Sequence, residues 1–123
     1  MASFQLSDDG NLVTIQQGAT FSLNVNYKDA NGSTINLSSG YTARMQGRTT
    51  HASDSTVFSL TNGSGITLEA TDPNIAIVIA ATVTDDYTAP STGVYDLEIV
   101  KTATSEVFRI LEGRYEITPE VTR

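Results

Sequence analysis

The chain's sole histidine, His51, lies in the polar run Thr49-Thr50-His51-Ala52-Ser53-Asp54. Serine and aspartate are plentiful around it, so a Ser-His-Asp relay can be drawn on paper. No Gly-x-Ser-x-Gly elbow presents a nucleophile, however, and His51 reads as a solvated loop residue. With one histidine and no cysteine, a single chain cannot assemble an ordinary zinc site, and neither disulfide nor thiolate chemistry is open to it. Calcium needs several converging oxygens. The adjacent pairs Asp8-Asp9 and Asp85-Asp86 would point to opposite faces of a strand, which does not suit shared chelation. Asp96 and Glu98 share a strand face and could act as paired carboxylates. A cross-strand Arg109 accounts for Glu98 as a sheet ion pair instead. Gly63-Ser64-Gly65 sits between two apolar runs rather than ahead of a helix, so it is no phosphate cradle. These residues give no catalytic, cofactor or metal site, and the expectation is that the chain is not an enzyme.

The cations are scarce enough to be informative. Of seven, five are arginines: Arg44, Arg48, Arg109, Arg114 and Arg123. Arginine suits paired, partly desolvated contacts. Arg44 and Arg48 fall on one strand face with no evident partner in the chain, which makes them the candidate interface. The formal net charge of −7 opposes binding to a nucleic-acid backbone or an anionic membrane. It favours solubility or a basic partner surface. No run of 18 apolar residues occurs, so no helical membrane span is expected. The start Met1-Ala2-Ser3-Phe4 lacks the basic and apolar regions of a signal peptide.

Positioning these side chains falls to strands. At 123 residues the chain has one domain's worth of length. Residues 1–10 read as an N-terminal arm, and 11–123 as a single domain. Leu12-Val13-Thr14-Ile15 is a first strand. Phe21, Leu23, Val25 and Tyr27 alternate with Ser22, Asn24 and Asn26, the pattern of a half-buried strand. A loop at Ala30-Asn31-Gly32 would place Tyr27 opposite Ile35 and Val25 opposite Leu37. Tyr41, Ala43, Met45 and Gly47 alternate with Thr42, Arg44, Gln46 and Arg48. Asn62-Gly63-Ser64 predicts a second hairpin, with Leu60 facing Ile66 and Phe58 facing Leu68. Ile75–Ala81 is apolar on both faces and rich in β-branched residues, which predicts a central strand; one short turn of helix follows within Thr82–Tyr87.

The last third is the most explicit. A turn at Ala103-Thr104 sets Ile99 opposite Phe108, Leu97 opposite Ile110, Glu98 opposite Arg109 and Lys101 opposite Glu106. Apolar and opposite-charge pairs agree on that register. Seven to nine strands with regular turn signals predict an all-β, Ig-like antiparallel β-sandwich, with a small β-barrel as the alternative. Cys and Trp are both absent, so the immunoglobulin likeness is architectural only. Tyr27, Tyr41, Tyr95 and Tyr115 fall on strand faces, where packing is their ordinary role; a carbohydrate-binding β-sandwich module, which would want such aromatics exposed, is the alternative from a different class.

Several blocks follow one another in a distinctive order. Gly18-Ala19-Thr20-Phe21 leads a strand ending at Tyr27-Lys28-Asp29. Asn36-Leu37 precedes Tyr41-Thr42-Ala43-Arg44-Met45-Gln46, and Gly65-Ile66 precedes the isoleucine-rich strand. Gly93-Val94-Tyr95-Asp96-Leu97-Glu98-Ile99 is followed by Arg109-Ile110-Leu111-Glu112-Gly113-Arg114 and Pro119-Glu120-Val121-Thr122-Arg123. From Gly18 onward this order resembles small β-sandwich structural proteins of tailed-bacteriophage virions. The resemblance implies a capsid decoration or cement protein, with a tail, neck or fibre-adaptor component as the alternative. It implies a homo-oligomer, such as a trimer, with virion proteins such as the major capsid protein as partners. It also implies synthesis in the host cytoplasm and carries no catalytic residues.

Overall fold

The computed structural model describes residues 12–121; the expected arm at 1–10 and Arg123 lie outside that range. Eight strands and one helical turn follow in chain order: β1 (Val13–Gln16), β2 (Phe21–Val25), β3 (Tyr41–Arg48), β4 (Phe58–Asn62), β5 (Gly65–Leu68), β6 (Ile75–Ile79), α1 (Ala81–Thr84), β7 (Ser91–Lys101) and β8 (Glu106–Thr118). The strands form one sheet in the order β1-β8-β7-β3-β4-β5-β6-β2. Its two ends, β1 and β2, are joined by only four residues, Gln17–Thr20. The sheet therefore curls far enough for one short loop to span its two edges, giving a sandwich that approaches a barrel. The all-β class and the strand count match the sequence reading. Two ladders, β1 with β8 and β4 with β5, run parallel rather than antiparallel.

Alternation decides which face turns inward. Ala43 and Met45 of β3, Tyr95, Leu97 and Ile99 of β7, and Leu111, Tyr115 and Ile117 of β8 are buried in one cluster with Ile75, Ile77 and Ile79 of β6. Burying an aliphatic side chain of this kind is worth about 1.5–3 kcal/mol, so this inner layer supplies the main drive for folding. β6 is covered on one face only, and Val78 on its outer face is 49% exposed. As expected of a central strand, β6 is paired on both sides, with β5 and β2, but a single curled sheet has one dry face, so its apolar outer face stays uncovered.

The loop at 29–33 forms as expected. Lys28 bridges Thr34, and the Ile35 N–H donates to the Tyr27 carbonyl at 3.2 Å. The hairpin then stops. β2 pairs with β6, which sets Val25 opposite Ile75, and the Leu37 N–H turns to the Glu69 carbonyl at 3.1 Å. Leu37 still enters the core. The second expected hairpin is also corrected: β4 and β5 pair in parallel at Thr61–Gly65 and Asn62–Ile66. Gly63 and Gly65 both hold positive φ, 87° and 99°, a conformation glycine adopts at little cost. Two such residues, one on each side of Ser64, curl the chain into a small loop, and Leu68 goes on to pair with Ile75 on β6.

Two buried polar side chains tie loops to the sheet. Asn74 accepts from the Tyr27 N–H at 2.7 Å and donates to the carbonyls of Tyr27 and Ile35 at 2.8 and 2.9 Å. Thr84 of α1 accepts from the Gly18 N–H at 3.1 Å and donates to the Ala19 carbonyl at 2.8 Å. The helical turn thereby fastens the loop between the sheet's two edges.

Candidate functional site

The polar residues singled out in the sequence gather on the outer face of β3, β7 and β8. The ladders set them in rows. Arg44 lies beside Glu98, which lies beside Arg109; Gln46 lies beside Asp96, then Glu112; Arg48 lies beside Val94, then Arg114. A β-bulge shapes the β8 side. The ladder shifts between Leu97 and Glu98, so Leu97 pairs with Leu111 and Ile110 is the extra residue. Three of the four expected pairs, Ile99–Phe108, Glu98–Arg109 and Lys101–Glu106, form; the fourth moves by one residue. In a regular strand, residues three apart point to opposite faces. The bulge lets Arg109 and Glu112 share the outer face, where Nη1 and Oε1 stand 3.4 Å apart. Bulges re-aim side chains in this way.

Arg109 is the hub of a charge network. Its Nε lies 3.6 Å from Asp96 and 3.8 Å from Glu98, which places the expected Glu98–Arg109 pair. Arg44, expected to lack a partner in the chain, donates from Nε to Glu98 Oε1 at 2.8 Å. Arg48 is likewise engaged. Its Nη1 donates to the Ser53 carbonyl at 2.9 Å and its Nη2 to Gln46 Oε1 at 3.0 Å. The premise for the candidate interface is thus corrected: β3 presents both arginines where cross-strand and loop acceptors reach them. Burial, together with Glu98 and Glu112, pushes the Asp96 carboxyl above its usual range against the opposing pull of Arg109.

Beside this network lies a cleft of about 200 Å³, whose lining includes Gln46, Arg48, His51, Asp96, Arg109 and Glu112. The loop after β3 forms one wall, and Arg48 braces it through Ser53. His51 is exposed, as a solvated loop residue should be, but it also borders the cleft. Gln46, Asp96 and Glu112 were not marked by the sequence as site residues together. The signal that joins them is the bulge at Ile110, which alternation does not reveal. Asp85 and Asp86 follow α1, and Asp8 and Asp9 lie outside the described residues. Among the described residues, no group of three or more His, Asp or Glu side chains is arranged to hold a metal ion.

No protein-family model matches the chain, and no curated protein matches it. Among solved structures, one from a study of multimeric cell-adhesive interactions of VGSC beta subunits is similar in fold. It shares 11% identity at a TM-score of 0.46, across 96% of this chain and 98% of that one.

Proposed function

We propose that the chain is a non-enzymatic structural protein of a tailed-phage virion, a capsid decoration or cement protein made in the host cytoplasm. It would bind the particle surface as a symmetric homo-oligomer, with the major capsid protein as its neighbour. One observation carries this reading: the ordered blocks that resemble such proteins fall on fold-building parts of the chain. Gly18 makes the turn between the sheet's edges with φ 82°. Tyr27-Lys28-Asp29 enters the loop gripped by Asn74. Leu37 plugs the core, and the blocks Gly93–Ile99 and Arg109–Arg114 belong to the long β7–β8 ladder. A pattern of this kind specifies a scaffold. Cytoplasmic synthesis in many copies suits a small acidic domain, and symmetric assembly then joins identical surfaces.

Cryo-EM of the virion encoded with this chain tests the reading. Hundreds of copies on the capsid are expected. A few copies at the neck or tail would place it as a tail or fibre-adaptor component, and its absence from the particle would overturn the virion reading.

A further inference from the structure

We propose that the cleft between the β3–loop wall and the outer face of the sheet at Asp96 and Glu112 binds one neutral, polyhydroxylated group of hexose size, such as a terminal sugar of a glycan. This inference does not depend on the virion reading. The cleft's size sets the first limit. At about 200 Å³ it falls below the roughly 300–1,000 Å³ of sites that bury drug-sized ligands, which leaves room for one sugar ring.

Charge sets the second. Asp96 and Glu112 are balanced by Arg48 and Arg109, so the lining has no net sign with which to attract an ion. It does offer acceptors on the sheet side, in Asp96 and Glu112, and donors on the loop side, in Arg48 and His51, with the Gln46 amide between them. Sugar hydroxyls both donate and accept, and they need this mixture.

Preorganisation is the third. Arg48 is already held by Ser53 and Gln46, and Arg109 by Glu112, so little side-chain freedom remains to be lost on binding. Asp96 is the member with acceptor capacity to spare. Arg109 Nε stands 3.6 Å away, beyond direct hydrogen bonding, and a donated hydroxyl would stabilise a carboxylate that burial and its acidic neighbours disfavour. The bulge that turns Glu112 to this face is a built feature of the same wall. Aromatic stacking contributes little, since Tyr95 is buried, so a single sugar should bind with a dissociation constant on the order of millimolar.

The test is a ¹⁵N-NMR titration of the whole chain with methyl glycosides of glucose, galactose, mannose and N-acetylglucosamine. Glycine, arginine and glutamate serve as zwitterionic and charged comparators, and a glycan array separates a free sugar from a chain terminus as the source. At least one glycoside should shift the amides of Gln46, Arg48, His51, Asp96 and Glu112 saturably. Asp96→Asn should weaken that binding by about tenfold or more, the loss of a hydrogen bond to a charged acceptor, with the circular dichroism spectrum unchanged. If Asp96→Asn does not fold, Glu112→Gln at an exposed position replaces it. No shift with any glycoside, shifts away from the cleft, or shifts caused by the charged comparators alone would each overturn the proposal.

Discussion

Asn74 replaces a missing strand for Tyr27. It binds both backbone polar groups of that residue, accepting from the N–H at 2.7 Å and donating to the carbonyl at 2.8 Å. A third bond, at 2.9 Å, reaches the Ile35 carbonyl, and Asn74 itself is fully buried. One side chain thus ties two loop segments to the start of β6. Asn74→Ala would strand one donor, the Tyr27 N–H, and one acceptor, the Ile35 carbonyl, at about 1–3 kcal/mol for each unsatisfied buried group, while the Tyr27 carbonyl keeps the Ile35 N–H. A loss of at least about 2 kcal/mol is expected in urea denaturation. Asn74→Asp should do no better, because it keeps the acceptor while removing both donors and burying a charge. A midpoint unchanged in Asn74→Ala would mean that these groups find other partners.

How far the sequence foretold this architecture depends on the range of the interactions involved. The β7–β8 register was legible because its apolar and charge pairs lie on two strands joined by a short turn. It failed only at Leu97, where the extra residue Ile110 alters the count. The same bulge hid the cleft: Arg109 and Glu112 have the wrong spacing for one face until the ladder shifts. Nothing local marked Asn74, because its partners Tyr27 and Ile35 lie 47 and 39 residues away. The Asn62-Gly63-Ser64 signal marked a turn correctly. It could not show that a second left-handed glycine at 65 would send β5 forward instead of back along β4. Arg44 seemed unpartnered because Glu98, 54 residues on, becomes its neighbour only through the β3–β7 ladder.

Tyr115 offers a test of the opposite sign. Its ring is fully buried, edge-on to Phe58 with centroids 5.3 Å apart. Its hydroxyl has no hydrogen-bond partner among the described residues. Removing an unpaired buried hydroxyl while keeping the ring should be neutral or stabilising. Tyr115→Phe is therefore expected to melt at or above the wild-type temperature. Tyr115→Ala should lose about 3–5 kcal/mol through the cavity it leaves. A clear fall in the melting temperature of Tyr115→Phe would show that the hydroxyl has a partner in solution.

Alkaline pH should unfold this protein early. Burial raises the phenol pKa of Tyr27, Tyr87, Tyr95 and Tyr115 above the usual value of 10.0, most strongly for Tyr95. In the unfolded chain these phenols ionise near 10; in the folded chain they keep their protons to higher pH. The folded state then binds more protons, so stability is intact below about pH 10 and falls as pH rises through the folded values. The limiting slope is about 1.4 kcal/mol per pH unit for each fully protected tyrosine. Urea midpoints measured from pH 8 to pH 11 should decline only above 10, with tyrosinate absorbance appearing together with unfolding. Full tyrosine ionisation in a still-folded protein would contradict this.

The arginine face is where assembly can be separated from folding. Arg44 is half exposed and donates to Glu98, while Arg109 holds Asp96, Glu98 and Glu112. Arg44→Glu adds a fourth carboxylate to this group and leaves Arg109 to hold all of them. In the monomer the cost should be modest, about 1 kcal/mol, because the pair is open to solvent, and added salt should reduce it by screening. Arg48→Glu differs, since Arg48 braces the loop through Ser53; its first effect should be on that loop, seen as faster amide exchange around Ser53. If the face meets an acidic neighbour in the proposed assembly, Arg44→Glu sets like charges against each other, which can cost several kcal/mol. Circular dichroism should then show a folded chain, while size exclusion and particle binding show lost association that salt partly restores. A folded Arg44→Glu chain that assembles as wild type would remove this face from the interface. The contact would then have to be sought at the edge strands β1 and β2, whose outer sides carry no ladder among the described residues.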